Sequence, residues 1–246
     1  MARNDDIEDI LERWPFDPES VNVREIEAED GRDLLQMRID LGILQLETKG
    51  RPDGERPYGA ETILDYILGQ VVKHGDEFEM GEEECDEVDR EFIQYYHRRI
   101  CWLKLARYDR AVEDADHTLA LMDVCDQHAT DEQWTSSHEQ YRPFVIFHRT
   151  QAAALDALEQ GGADAAVAAI NGGLDTLREL FVEQEIEEYF EENELVARLI
   201  EFRESLRDEF EVGQTLQEQL ADAVASEEYE LAARLRDEIR KRADMH

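Results

Sequence analysis

The chain is short of lysine, cysteine, proline and long apolar runs, and each shortage narrows what it can be. Of its 26 basic residues only four are lysine, Lys49, Lys73, Lys104 and Lys241. Together they leave a net charge of −36. Nucleic-acid affinity comes mainly from Lys and Arg neutralising phosphates, so direct, non-specific DNA binding is not expected. Anionic membrane surfaces are disfavoured for the same reason. High acid with so little lysine can also mark a salt-tolerant proteome. The three cysteines, Cys85, Cys101 and Cys125, are too few and too scattered for a disulfide framework. No apolar run approaches the ~20 residues that span a bilayer as a helix, and Met1 to Ile10 holds no apolar core of signal-peptide length. These absences predict a reduced, cytoplasmic protein. No GxxxxGK[ST] phosphate loop occurs.

What is present favours helices. Apolar residues make up 42% of the 246 positions, enough for a sizeable core. Charged residues reach 36%, and Ala, Leu, Glu and Arg dominate with only five prolines as punctuation. The expected fold is mostly α, a bundle of helical hairpins with a small N-terminal antiparallel β element and a C-terminal helical hairpin.

Three segments are expected. Residues 1–59 begin with a short helix capped by Asn4 or Asp5, with Ile7, Ile10, Leu11 and Trp14 on one face, stopped at Pro15. Alternating β-branched residues then predict a hairpin turning near Asp30 and Gly31 and a third strand over Leu41 to Thr48. The Gly- and Pro-rich stretch 50–59 reads as a connection from sheet to helix. Residues 60–212 carry helical periodicity. Ile63, Leu64, Ile67, Leu68, Val71 and Val72 form one stripe ending near Gly75. Two antiparallel pairs follow, 82–105 with 108–125 and 141–158 with 163–180, separated by a linker at 126–137. Residues 183–211 read as helical and very acidic, the default for which is a solvated face. Residues 213–246 are the third segment.

Two stretches of the middle segment share a pattern. Tyr108 and Ala163 are each followed by Ala three residues on and Val next (Ala111 and Val112; Ala166 and Val167), then small residues and a late Leu. This resembles the second helix of a tetratricopeptide repeat. Ala154, Ala157 and Gly161 fit the repeat around the second copy. Arg99 stands where the family has a small residue, and the copies are 55 residues apart, so the segment is repeat-like and not a regular array. The resemblance implies a concave surface for peptides or proteins; an ordinary helical bundle uses Ala and Leu in the same way.

The last segment holds the most specific signal. Leu216, Leu220, Ala223 and Val224 share a helical face, Ser226 can cap a second helix, and Tyr229, Ala232, Ala233, Leu235, Arg236 and Ile239 follow at helical spacing. Acids at the second helix's start and bases at its end suit the helix dipole. About 25 residues bury too little surface to stand alone, so the hairpin gains by docking on its parent or on another chain. With Glu227, Glu230, Asp237 and Glu238 these residues resemble the UVR motif of the excision-repair proteins UvrB and UvrC, with Tyr229 where the family usually has Phe. The chain also looks like bacterial proteins that contain this motif.

The resemblance implies protein–protein contact, through Leu216, Leu220, Val224, Tyr229, Ala232, Ala233, Leu235, Arg236, Asp237 and Ile239. The implied partners are UvrB- or UvrC-like proteins, ClpC-type unfoldases, or a kinase of the type activated by a UVR adaptor; a homodimer through the hairpin is a further option. That adaptor carries CxxC pairs, which this chain does not have. The expected function is a non-catalytic adaptor. The alternatives are an accessory factor of nucleotide-excision repair acting through a UvrB- or UvrC-like partner, and a metal- or phospho-ligand-binding regulator.

That last alternative rests on a second constellation. His97, Arg98 and Arg99, with Arg142, His148 and Arg149, lie among aromatic residues and could line a groove for an acidic peptide or a phosphate. The plainer reading pairs these arginines internally with Glu91, Asp114, Asp116 or Glu139. His97 with Cys101 and Cys125 with His128 have ligand-pair spacings, although Cys101 beside Trp102 reads more simply as a small buried hydrophobe. No metal or cofactor is expected. No nucleophile–base or paired-acid arrangement stands out among 62 acidic residues, so no enzyme is expected either.

Overall fold

The computed structural model describes residues 7–243. Helix α1 (Glu8–Arg13) opens the chain and buries none of its residues; the caps expected at Asn4 and Asp5 lie outside the described residues. Strands β1 (Asn22–Glu27), β2 (Asp33–Ile39) and β3 (Gly42–Glu47) form an antiparallel sheet in that order. Gly31, at φ +82°, supplies the left-handed residue of the first turn. The register pairs Val23 with Met37 and Leu35 with Leu46, so one face is apolar. The other face carries Gln36, which hydrogen-bonds Arg24 and Gln45.

Helices α2 (Ile63–His74), α3 (Glu82–Lys104), α4 (Tyr108–His128), α5 (Glu132–Glu139) and α6 (Arg142–Gly161) follow. The Thr62 hydroxyl caps α2 by accepting from the Asp65 N–H. Only Ile63, Leu64 and Ile67 of the expected α2 stripe are buried; Leu68 is 44% and Val72 87% exposed. The stripe is wider than the surface available to cover it. Glu82, Glu83 and Glu84 crowd the positive start of α3, and Glu84 reaches back to the Gly81 N–H. The first expected pair is observed: α3 packs along α4. Its ends bury two separate clusters. Val88, Leu121, Val124 and Cys125 enclose the start of α2. Cys101, Trp102 and Ala111 receive Leu35 and Leu46 of the sheet.

The linker expected at 126–137 is instead the end of α4 and most of α5. Asp131 starts α5 by accepting the Gln133 and Trp134 N–H groups at 2.9 and 3.1 Å, a cap that outweighs the polar composition of the stretch. The chain turns between α6 and α7 (Ala163–Glu183) at Gly162, whose φ is +83°. The acidic stretch after α7 is not one helix. A short turn at Glu187–Tyr189 precedes α8 (Glu194–Phe210), and Asn193 caps α8. Helices α9 (Leu216–Ala225) and α10 (Tyr229–Ala243) close the described chain.

Two compact units divide the chain, Met1–Ala152 and Ala153–His246, and the division falls within α6. Among the described residues no helix is long and apolar enough to cross a membrane.

Candidate functional site: the terminal hairpin and the arginine cluster

Helices α9 and α10 fold against each other. Thr215 begins α9 with a capping box: its hydroxyl accepts from the Glu218 N–H while the Glu218 carboxylate accepts from the Thr215 N–H. Glu218 also pairs with Arg207 of α8 and lies 3.6 Å from Arg203. Burial alone would raise the Glu218 pKa, but the Thr215 N–H and the Arg207 guanidinium together hold it below the usual glutamate range. One carboxylate therefore starts the hairpin and ties it to α8.

Ser226, expected to cap α10, instead terminates α9, with its N–H donated to the Asp222 carbonyl at 2.9 Å. Glu227 adopts φ +60°, and the Glu228 N–H closes the turn on the Ala223 carbonyl at 2.7 Å. The left-handed residue makes this a helix C-terminus, so the chain reverses before α10 begins.

The residues expected to meet a partner divide into two sets. Ala223, Ala232 and Leu235 are buried in the hairpin's own seam, with Leu216, Leu220 and Leu231 packed around them. Ala232 and Leu235 are thus internal contacts, because each helix covers the apolar stripe of the other. Ile239 is half-buried. The outward set is Val224, Tyr229, Ala233, Arg236 and Asp237. Val224 is 53% and Tyr229 67% exposed. Tyr229, Ala233, Arg236 and Arg240 follow at intervals of four, three and four, one stripe along the outside of α10.

The arginine cluster resolves into individual pairs. Arg98 forks onto Asp114, with its Nη2 2.7 Å from Oδ1, and also donates to the Glu47 and Gly50 carbonyls. Arg142 pairs with Glu139 at 2.6 Å and Asp123 at 2.7 Å. Arg149 pairs with Asp116. The groove expected from all six residues is therefore not assembled: three arginines are neutralised in place. Glu91 serves other partners. It accepts the Ile63 N–H, touches His117 at 2.7 Å, and faces Arg51 at 3.9 Å.

Arg99 is the exception. It is 1% exposed and makes one hydrogen bond, from Nη1 to the Thr118 hydroxyl at 3.1 Å. Among the described residues its Nε has no partner, nor do Nδ1 of His97 and Nδ1 of His148. Burial pushes the Arg99 pKa down to about 10. Burial, reinforced by the Arg99 charge, pushes His148 down to about 4, so His148 is neutral near pH 7.

Cys101 and Cys125 sit in different apolar clusters, and burial pushes both thiols up to about 12. Nδ1 of His128 lies 3.1 Å from the Phe78 carbonyl. The two spacings that resembled ligand pairs are not brought to one place. Among the described residues no group of three or more His, Cys, Asp or Glu converges as metal ligands would. Sequence reasoning did not single out Phe92 and Ile93 of α3 or His138 of α5, which line the same groove as Arg99.

Comparison with protein families places a UvrB/uvrC motif at residues 214–241, which brackets α9 and nearly all of α10. The chain contains this motif. Comparison with curated proteins and with solved structures gave no match.

Proposed function

We propose that the protein is a non-catalytic adaptor that docks a partner protein on the outward face of α9 and α10. The observation that carries this reading is the coincidence of the motif with a hairpin whose exposed residues include an aromatic ring, Tyr229, together with Val224 and Ala233. Exposed tyrosines are typical anchors of protein contacts. Arg236 and Asp237 are too solvated to add much affinity, and their role is to set register and partner choice.

The partner class is a protein bearing a matching UVR-type helical surface, such as a UvrB- or UvrC-like protein, an unfoldase or a kinase. A role in excision repair, with DNA reached only through the partner, uses the same interface. The net charge of −36 supports that indirect route.

The test is calorimetric titration of the full-length protein against purified UvrB-type and UvrC-type proteins, with sedimentation velocity for self-association. Tyr229→Ser with Val224→Ser should weaken whichever complex forms by about tenfold or more, while the circular dichroism stays unchanged. Undiminished binding by the double variant, or no complex with either protein and no self-association, overturns the reading.

A further inference from the structure

A groove of about 800 Å³ runs between α3, α5 and α6, inside the first unit. Phe92, Ile93, Tyr96, Tyr141 and Phe144 form its apolar walls, and Arg99 lies on its inner side. Its volume is in the range of pockets that hold small molecules, roughly 300–1,000 Å³.

The charges around the groove are unequally satisfied. At one end the Asp89 carboxylate accepts the Trp134 indole N–H at 3.0 Å and contacts His138 Nε2 at 2.9 Å. At the other end Arg99, ten residues further along α3 and so about 15 Å away, has no counterion. Among the described residues no carboxylate lies within 4 Å of it. The acid that acts on it electrostatically, Asp114, is already occupied by Arg98. Thr118 offers only a hydroxyl, whose own proton goes to the Asp114 carbonyl at 2.8 Å. His148, packed on Phe144 at 4.2 Å, has an Nδ1 with no partner among the described residues. A guanidinium buried without a counterion is costly. In a chain of 62 acids it is also avoidable.

We propose that this groove binds a small monoanion with an apolar body, a carboxylate carried on an alkyl or aromatic group, with Arg99 receiving the carboxylate and Phe92, Tyr96 and Phe144 holding the body. One uncompensated positive charge matches one negative charge; a phosphate dianion would bring a second into a site whose far end is already acidic. The walls carry few polar groups, so specificity resides in the Arg99 end and affinity in the buried body. This site is independent of the terminal hairpin.

The probe is decanoate, set against decylamine, which has the same alkyl body and the opposite charge. The protein's overall field favours the amine, so a preference for the acid requires a local positive site. Calorimetry on the full chain at pH 7 should show one decanoate bound per chain, at least about tenfold tighter than decylamine. Arg99→Gln should abolish that preference. Ile93→Glu places an acid on an exposed wall position, 56% accessible in the free protein. It should leave the fold intact and weaken decanoate by about tenfold or more through like-charge repulsion. Equal or tighter decylamine binding, no saturable binding up to millimolar decanoate, or undiminished binding by Ile93→Glu overturns the proposal. Should Arg99→Gln not fold, the Ile93 variant and the acid–amine comparison decide it alone.

Discussion

The fully buried Glu91 carboxylate of α3 accepts the Ile63 backbone N–H of α2 at 2.8 Å, with the Leu64 N–H at 3.4 Å. The first N–H groups of a helix have no partner within it, and here another helix supplies one. The same carboxylate holds His117, which stacks on Tyr95 at 3.8 Å. Glu91 thereby joins α2, α3 and α4.

Glu91→Ala should lower the unfolding free energy by about 3 kcal/mol, because it leaves the buried Ile63 N–H and His117 without their acceptor. Glu91→Gln keeps one acceptor oxygen and should cost less. Urea unfolding at pH 7 measures both. A loss below about 0.5 kcal/mol for the alanine variant would place Glu91 among incidental contacts.

His148 makes stability depend on pH. Burial, then the Arg99 charge, holds its native pKa near 4, below the ordinary 6.5. Between those values the unfolded chain binds the proton and the native one does not. Stability therefore rises with pH through that window and falls on acidification from about pH 6.5 towards pH 4, by up to roughly 3 kcal/mol. His148→Phe should flatten this part of the profile. Urea midpoints of both proteins at pH 7 and pH 5 test it: an equal drop in the two would remove His148 as the cause.

Glu218→Gln should loosen the hairpin without unfolding the rest. It removes the ionic tie to Arg207 and weakens the capping box, together about 1–2 kcal/mol. Hydrogen exchange should show lost protection across α9 and α10 with α3 and α4 unchanged. In the unsubstituted protein the depressed Glu218 pKa means its stabilising contribution is present above the ordinary value of 4.5 and is lost as pH falls below it. Exchange at α9 should accelerate in that acidic range, and the glutamine variant should show no such acceleration.

The local code of the sequence determined the three-stranded sheet, the boundaries of α2 and α3, the start of α4, and the terminal hairpin with its motif. Periodicity, turn glycines and caps act within a few residues, so they can be read in order along the chain. The helix α5 escaped because its apolar periodicity is weak and its start depends on one capping aspartate, Asp131. Tertiary structure alone decided which apolar residues are covered: Val72 faces outward, and Ala232 and Leu235 of α10 both pack against α9. It also decided which arginine lacks a counterion. Arg98 and Arg99 are adjacent and chemically equivalent, and Asp114, sixteen residues from Arg98, reaches only one of them. Pairing across helices depends on the rotation of each helix about its axis, which packing fixes and composition does not.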